Sequence, residues 1–402
     1  MKKALSWVAA ASVLILFTAA RAGQETEPEP SKSRHRFLNL SLFYPLSTNS
    51  CKLDTADVNL TLLYGRMGSV RGLDLAVGVT GLEGSLKGIQ LAGLLGAVGE
   101  QGEGIQLAGL GSVSGEKFTG LQAAGLFCVA GDRLEGVQLS GLFSVAGETA
   151  SGIQASGLFS VTGETLDGFQ ASGLFNVAGE NLKGVQIAGL FNVAGEKSTA
   201  LQLSGLMNVT GELCRGVQIG LFNVSSHLEG LQIGLVNVAS TLDGVPVGLV
   251  NLTRPEDRRV RLATWLGSVS LINAGVKIWA KRYYSILYTG MVNMTQEAGS
   301  CLAYGFQYGY GVPLRGKGTG AGRNLRLEVD AGYAYLDNST LFRHYEGTPD
   351  RHVLSIRGAL ATEMSSGVSV FAGTGLRYTI LYGSPFGSGS VAPIVFAGIE
   401  LF

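Results

Sequence analysis

Charge is scarce in this chain of 402 residues. Asp, Glu, Lys and Arg together make up 15%, against about a quarter in ordinary proteins. The 30 acidic and 30 basic residues balance, which excludes a basic nucleic-acid binder and an acidic disordered chain. Histidine is limited to four residues (His35, His227, His344, His352) and no G-x-S-x-G nucleophile elbow occurs. Four cysteines (Cys51, Cys128, Cys214, Cys301) are too few and too scattered for a disulfide framework, and their spacing does not suit zinc. Cys51 and Cys301 flank predicted strands and are candidates to pair in an oxidising periplasm. Tyr and Trp are absent from residues 65–264. Beyond the N-terminus no stretch reaches the ~18 apolar residues of a membrane helix, so any later membrane contact must use strands.

The N-terminus is what an exported protein carries. Lys2 and Lys3 precede an apolar run from Trp7 to Ala20, and Ala20-Arg21-Ala22 is a small-x-small cleavage site before Gly23. Residues 1–22 are therefore expected to be a cleaved signal peptide, and the polar, Pro-containing stretch 23–35 a disordered linker.

Glycine is abundant, with 60 residues, and much of it is periodic. Gly72, Gly88, Gly104, Gly120, Gly136, Gly152, Gly168 and Gly184 stand sixteen residues apart; Ala200 and Gly216 continue the series, and Gly230 and Gly244 follow at fourteen. Stacking the units exposes columns. Gln recurs from Gln90 through Gln106, Gln122 and Gln138 to Gln232, with Asp74 and Pro246 in its place at the two ends. A second column is Phe127, Phe143, Phe159, Phe175 and Phe191; a third changes from Ser144 and Ser160 to Asn176, Asn192 and Asn208. A fourth is acidic, from Glu100 to Glu212. Within a unit the apolar period is two, which is strand chemistry, and Ala-Gly-Glu is turn chemistry.

Two architectures fit such a repeat. Each unit is either one coil of a β-solenoid or one strand and turn of an antiparallel barrel. Three features favour coils. All units are alike, whereas an antiparallel repeat is a hairpin. Amide columns suit in-register parallel stacking. GVQIAGLFNV at Gly184 shortens to GVQIGLFNV at Gly216, a loss that a corner near Ala188-Gly189 absorbs but a continuous strand does not. Against coils, the acidic column would stack like charges ~4.8 Å apart, and a strand core of about ten residues suits a membrane strand.

Composition changes after residue 257, where Trp265, Trp279 and most of the Tyr lie. Here apolar residues alternate with charge and glycine, as in Leu325–Tyr335 and Leu302–Val312, the signature of transmembrane β-strands. Seven such strands are expected from about Ser268 to Phe402, with two similar ones near Arg36–Leu46 and Ala56–Gly65. The chain ends Ile399-Glu400-Leu401-Phe402; the terminal Phe resembles the end of outer-membrane barrel proteins, while Glu400 interrupts the alternation. Arg254, Asp257, Arg258, Arg259 and Arg261 form a charged run, expected to be a hydrated boundary. The alternative to a barrel is a soluble sandwich.

The units GLQIGLVNVAS and GVQIGLFNVSS, with the earlier LTLLYGRMGSVRGLDLA, resemble a family of bacterial surface repeat-containing proteins first named from Leptospira. The resemblance covers roughly residues 36–257 and implies an exported envelope protein; it brings no catalytic residues. The sixteen-residue spacing departs from the fourteen of that family.

The expectation is an all-β chain: signal peptide 1–22, linker 23–35, barrel-like strands 36–66, β-repeat 67–257 and a barrel-like region 258–402. A repeat β-solenoid combines with an antiparallel outer-membrane-type β-barrel; the alternative is one large barrel that includes the repeats. The expected function is that of a non-enzymatic outer-membrane surface protein at the cell surface of a Gram-negative bacterium. Its partners would be outer-membrane lipid, the barrel-assembly machinery and a surface ligand, with no nucleic acid, cofactor, metal or catalytic residue. The alternative function is a pore. An envelope hydrolase lacks a nucleophile–base constellation. His344 and His352 are expected to be surface loop residues, Gly316–Gly322 a hairpin loop without Walker spacing, and calcium at the acidic column would find one carboxylate per coil.

Overall fold

A computed structural model describes residues 34–48, 54–292, 302–314, 325–337, 339–340, 343–344, 350–365, 367–381 and 389–401. Among the described residues the protein is all-β, with 79% in strands and no helix; it combines a β-solenoid of about 13 turns with a closed barrel of 8 antiparallel strands. It divides into two compact units after Ser225.

In the first unit each sixteen-residue repeat is one coil. A typical coil has an eight-residue strand, Arg133–Ser140, a corner at Gly141-Leu142, a four-residue strand, Phe143–Ala146, and a corner at Gly147-Glu148. Neighbouring coils pair parallel and in register, so that Arg133 faces Thr149 and Gln138 faces Gln154. Corners stack as well: Leu142 N–H donates to Leu126 C=O at 2.8 Å, and Glu148 N–H to Asp132 C=O at 2.7 Å. Interior coils thus bond their backbone to the coil before and the coil after, and hydrophobic burial runs along a narrow interior, from Met67, Val70, Leu82, Leu86 and Val98 to Phe118, Leu134, Leu166, Leu182 and intervening alanines.

The periodic glycine has a conformational reason. Gly136 bends the long strand at φ 137°, and a Cβ there would overlap the carbonyl oxygen of Gly120 in the coil before. Only glycine accepts both demands without strain. Where Ala200 takes this column, the strand is split into Lys197–Ser198 and Leu201–Ser204. Gly136→Ala is therefore expected to destabilise the solenoid by about 1–3 kcal/mol. Amide exchange should accelerate at residues 133–156 and hardly change in distant coils; uniform protection identical to the parent would refute this.

The shortened unit behaves as a corner. Val217–Ile219 ends one residue early, Phe222 resumes, and Asn208 still bonds Asn223 at 2.9 Å. At the solenoid's N-terminal end, Leu46–Ser47 pairs antiparallel with Ser41–Phe43 and covers the free edge of the first strand.

The second unit contains the parallel pair Leu231–Leu242 and Val245–Leu252, followed by the barrel. Barrel strands are Arg258–Gly267, Ile272–Ala280, Tyr283–Met291, Leu302–Pro313, Arg326–Asp337, Arg351–Ser365, Val368–Leu381 and Ser390–Leu401. The first and last close the ring through pairs such as Thr264 with Ile399.

The expected combination of solenoid and barrel is present: the repeats are coils with parallel pairing, which excludes the alternative of one large barrel. Other expectations are corrected. Residues 36–66, expected to be barrel-like, are coils of the solenoid: His35–Phe43 pairs parallel with Thr55–Met67, which pairs parallel with Ser69–Ala76. Alternation alone does not distinguish the two, because partner direction is not written in it. The seven strands expected from about Ser268 onward are present, and Arg258–Gly267, within the expected region 258–402, adds an eighth. Arg261 therefore leaves the expected hydrated boundary and points inward, because its strand parity puts Val260 and Leu262 outside. Glu400 continues the alternation and does not interrupt it: Ile399 and Leu401 face out and Glu400 faces in, fully buried.

Candidate functional site

The solenoid interior is polar along its axis. Each Gln of the column donates Nε2–H to Oε1 of the Gln one coil earlier, for example Gln106 to Gln90 at 2.7 Å and Gln138 to Gln122 at 2.8 Å, through to Gln218. At the N-terminal end, Asn39 donates to Asn59 and Asn59 to Asp74, both at 2.7 Å, while Gln90 donates to Asp74 from the other side at 2.8 Å. Two donor series of opposite direction converge on Asp74, and Thr80 adds a third donor at 3.0 Å. An ionised carboxylate, which only accepts, meets all three. Burial nevertheless raises its pKa above the ordinary 3.8, and the bonds from Gln90, Asn59 and Thr80 oppose that rise. The Asn column donates in the other direction, Asn176 to Asn192 and Asn192 to Asn208 at 3.0 Å. The dipoles of the two ladders therefore oppose each other.

The solenoid exterior is apolar over most of its girth. Every charged residue between Gly88 and Gly211 lies in the four-residue segment that begins at the acidic corner, such as Asp132–Glu135 or Glu180–Lys183. The other twelve residues of each coil carry no charge. The corner leucines Leu94, Leu110, Leu126, Leu142, Leu158, Leu174 and Leu190 are 37% to 46% exposed. On the short face the Phe column stacks, with ring centroids 5.4, 5.2 and 5.0 Å apart from Phe127 to Phe175. On the long face an apolar groove of about 1730 Å³ crosses the coils at Leu75, Leu91, Leu107 and Leu139, walled at one end by Leu42 and Leu46.

The barrel is polar inside and apolar outside in the same way. Lys277 Nζ lies 2.6 Å from both Glu328 and Glu400, Arg261 lies 3.0 Å from Glu400, and Arg326 3.6 Å. Arg357 bonds Asp330 at 2.8 Å, and Tyr284 donates to Asp330 at 2.8 Å. Trp265, Trp279, Ile394 and Phe396 fill the space between. A cavity of about 20 Å³ lies beside Trp265, Ile394 and Phe396, and these side chains with the buried ion pairs fill the described interior. Leu262, Leu266, Ile356, Leu360, Leu376, Val391 and Val395 project outward, each more than half exposed.

The remaining candidates are dispersed. His35 bonds Asp57 at 3.1 Å, His227 lies 3.1 Å from Asp243, and His352 Nδ1 lies 2.6 Å from the Tyr333 hydroxyl. Lys281, donating to Asp243 at 2.6 Å, holds that carboxyl below its ordinary value. Among the described residues no group of three or more His, Cys, Asp or Glu is placed to hold a metal. Cys128 and Cys214 are buried free thiols, pushed up to about 12 and about 11 by burial. Cys51, Cys301, Gly316–Gly322, the side chain of His344, Phe402 and the expected signal peptide lie outside the described residues. No family model, curated protein or solved structure matches this chain. The Gln ladder was visible as a column in the sequence. The acceptor role of Asp74 was not, since a column does not state the direction of its bonds, and the Lys277–Glu400 network was not, since 123 residues separate the two.

Proposed function

We propose that this is a non-enzymatic outer-membrane surface protein of the repeat-containing kind it resembles. A signal peptide exports it, and barrel-assembly machinery inserts the eight-stranded barrel into outer-membrane lipid. The solenoid serves at the cell surface as a structural or binding element. One observation carries the reading: the barrel buries Lys277, Glu328, Glu400, Asp330 and Arg357 while it presents Leu, Ile and Val outward. That is the reverse of a soluble sandwich and matches a strand-built membrane anchor. The packed interior gives a pore reading no support. Expressed with its own N-terminus in a Gram-negative host, the protein should fractionate with the outer membrane and resist extraction at high salt and high pH. Recovery in the soluble periplasm would refute the assignment.

A further inference from the structure

The solenoid carries a surface that water does not suit. Between Gly88 and Gly211 the coils stack over roughly 38 Å, and their uncharged contour is about 40 Å around, at ~4.8 Å per coil and ~3.3 Å per residue. This is a patch of about 1,500 Å², several times the ~300–600 Å² of the largest patch on an ordinary monomer. It also exceeds the ~800 Å² that one partner contributes to a standard dimer. Its shape is more decisive than its area. Apolar side chains project from the long face (Leu139), around the convex corner (Leu142) and from the short face (Phe143). A folded partner would have to wrap a protruding edge on both sides. Liquid hydrocarbon does so without a special fit.

We propose that the solenoid lies in one leaflet of the membrane, with its leucine corner among the acyl chains and its acidic corner among the head groups. From Val137 to Leu142 the apolar part is about 16 Å deep at ~3.3 Å per residue, which is half of a ~30 Å hydrocarbon core. Backbone polar groups do not oppose this immersion, because coil-to-coil bonds satisfy strands and corners alike. The Gln side chains from Gln106 to Gln218 bond one another inside along their ladder. Charge segregation sets the orientation: between Gly88 and Gly211 all ten carboxylates and four cations lie along the acidic edge. That net negative edge favours a zwitterionic surface over an anionic one. The groove beside Leu91 and Leu107 then holds an acyl chain of the same leaflet.

This inference deepens the outer-membrane reading and rests on it, so the test separates the two. The full chain, with its four cysteines changed to Ser, receives Leu142→Cys, Leu158→Cys, Glu148→Cys or Ile356→Cys. Each variant is labelled with an environment-sensitive fluorophore and reconstituted in dioleoylphosphatidylcholine vesicles containing lipid spin-labelled deep in the acyl chain. Ser already occupies the coil positions equivalent to Cys128 and Cys214, at Ser144 and Ser198. The leucine-corner probes and the Ile356 probe on the barrel wall should each lose at least about half of their emission, as buried apolar faces do, while the Glu148 probe should lose little. Quenching at Ile356 but at neither leucine position overturns the immersed solenoid and leaves the barrel anchor standing. No quenching at Ile356 overturns the membrane assignment itself. Leu158 provides a second corner position should Leu142→Cys not fold.

Discussion

Glu400→Ala is expected to destabilise the barrel by about 3–5 kcal/mol. The carboxylate is fully buried and receives Lys277, Arg261 and Arg326. Without it, Lys277 and Arg326 share Glu328 and Arg261 keeps its bond to Ser369, beside the buried rings of Trp279 and Tyr284. Removal of one member of a buried ionic network leaves charge desolvated and unpaired, which costs far more than the network contributes over a well-packed apolar substitute. The outward neighbour Ile399→Val, on the same strand, should change stability by less than about 1.5 kcal/mol. Urea unfolding in lipid vesicles, followed by tryptophan emission from Trp265 and Trp279, would measure both. The double variant Glu400→Gln with Lys277→Met should recover part of the loss, because it removes anion and cation together. A Glu400→Ala barrel as stable as the parent would show that this network does not hold the closed ring.

Asp74→Leu should have an effect of similar size at the other end of the molecule. It leaves the donors of Asn59, Gln90 and Thr80 without an acceptor at the Asp74 position, each in a buried site. At about 1–3 kcal/mol for each unsatisfied group, the sum is roughly 3 kcal/mol or more. Asp74→Asn keeps the shape but turns an amide donor toward one of the three, and should lose about 1–3 kcal/mol. Because coils contact only their neighbours, faster amide exchange should be confined to residues 55–98 and leave the coils around Gln170 unchanged. A pH dependence separates the variants further. Burial raises the Asp74 carboxyl, so the folded protein holds this proton more tightly than the unfolded chain. Stability from this site is therefore greatest at low pH and falls as pH rises from about 3.8 through the raised value. In Asp74→Asn that component is absent. An unchanged pH profile, or loss of protection spread evenly over all coils, would contradict the convergence of the two ladders on Asp74.

Much of the architecture is legible in the sequence, for reasons that are local. Sixteen-residue spacing of Gly72 to Gly184 states the length of a coil, and the Gln column states that neighbours stack in register. The shortening at Gly216 marked a corner, since only a corner loses a residue without reversing the faces beyond it. Alternation in Leu302–Val312 and Leu325–Tyr335 marked barrel strands. The same alternation misassigned Arg36–Leu46 and Ala56–Gly65, because pairing direction belongs to the partner strand and not to the strand itself.

The sequence by itself determined the repeat, the strand content, the change of regime after residue 257 and the poverty of charge. Only the tertiary structure decided which parity faces inward. A period of two divides each strand into two sets, one with Gln138 and one with Val137 and Leu139, and ordinary packing would bury the apolar set. The coils bury the amides instead, because Gln138 finds its partners sixteen residues away on each side, and only once the coils are stacked. Glu400 shows the same dependence at longer range. Its partners Lys277 and Arg261 lie 123 and 139 residues upstream, and the three meet only when the last barrel strand closes on the first.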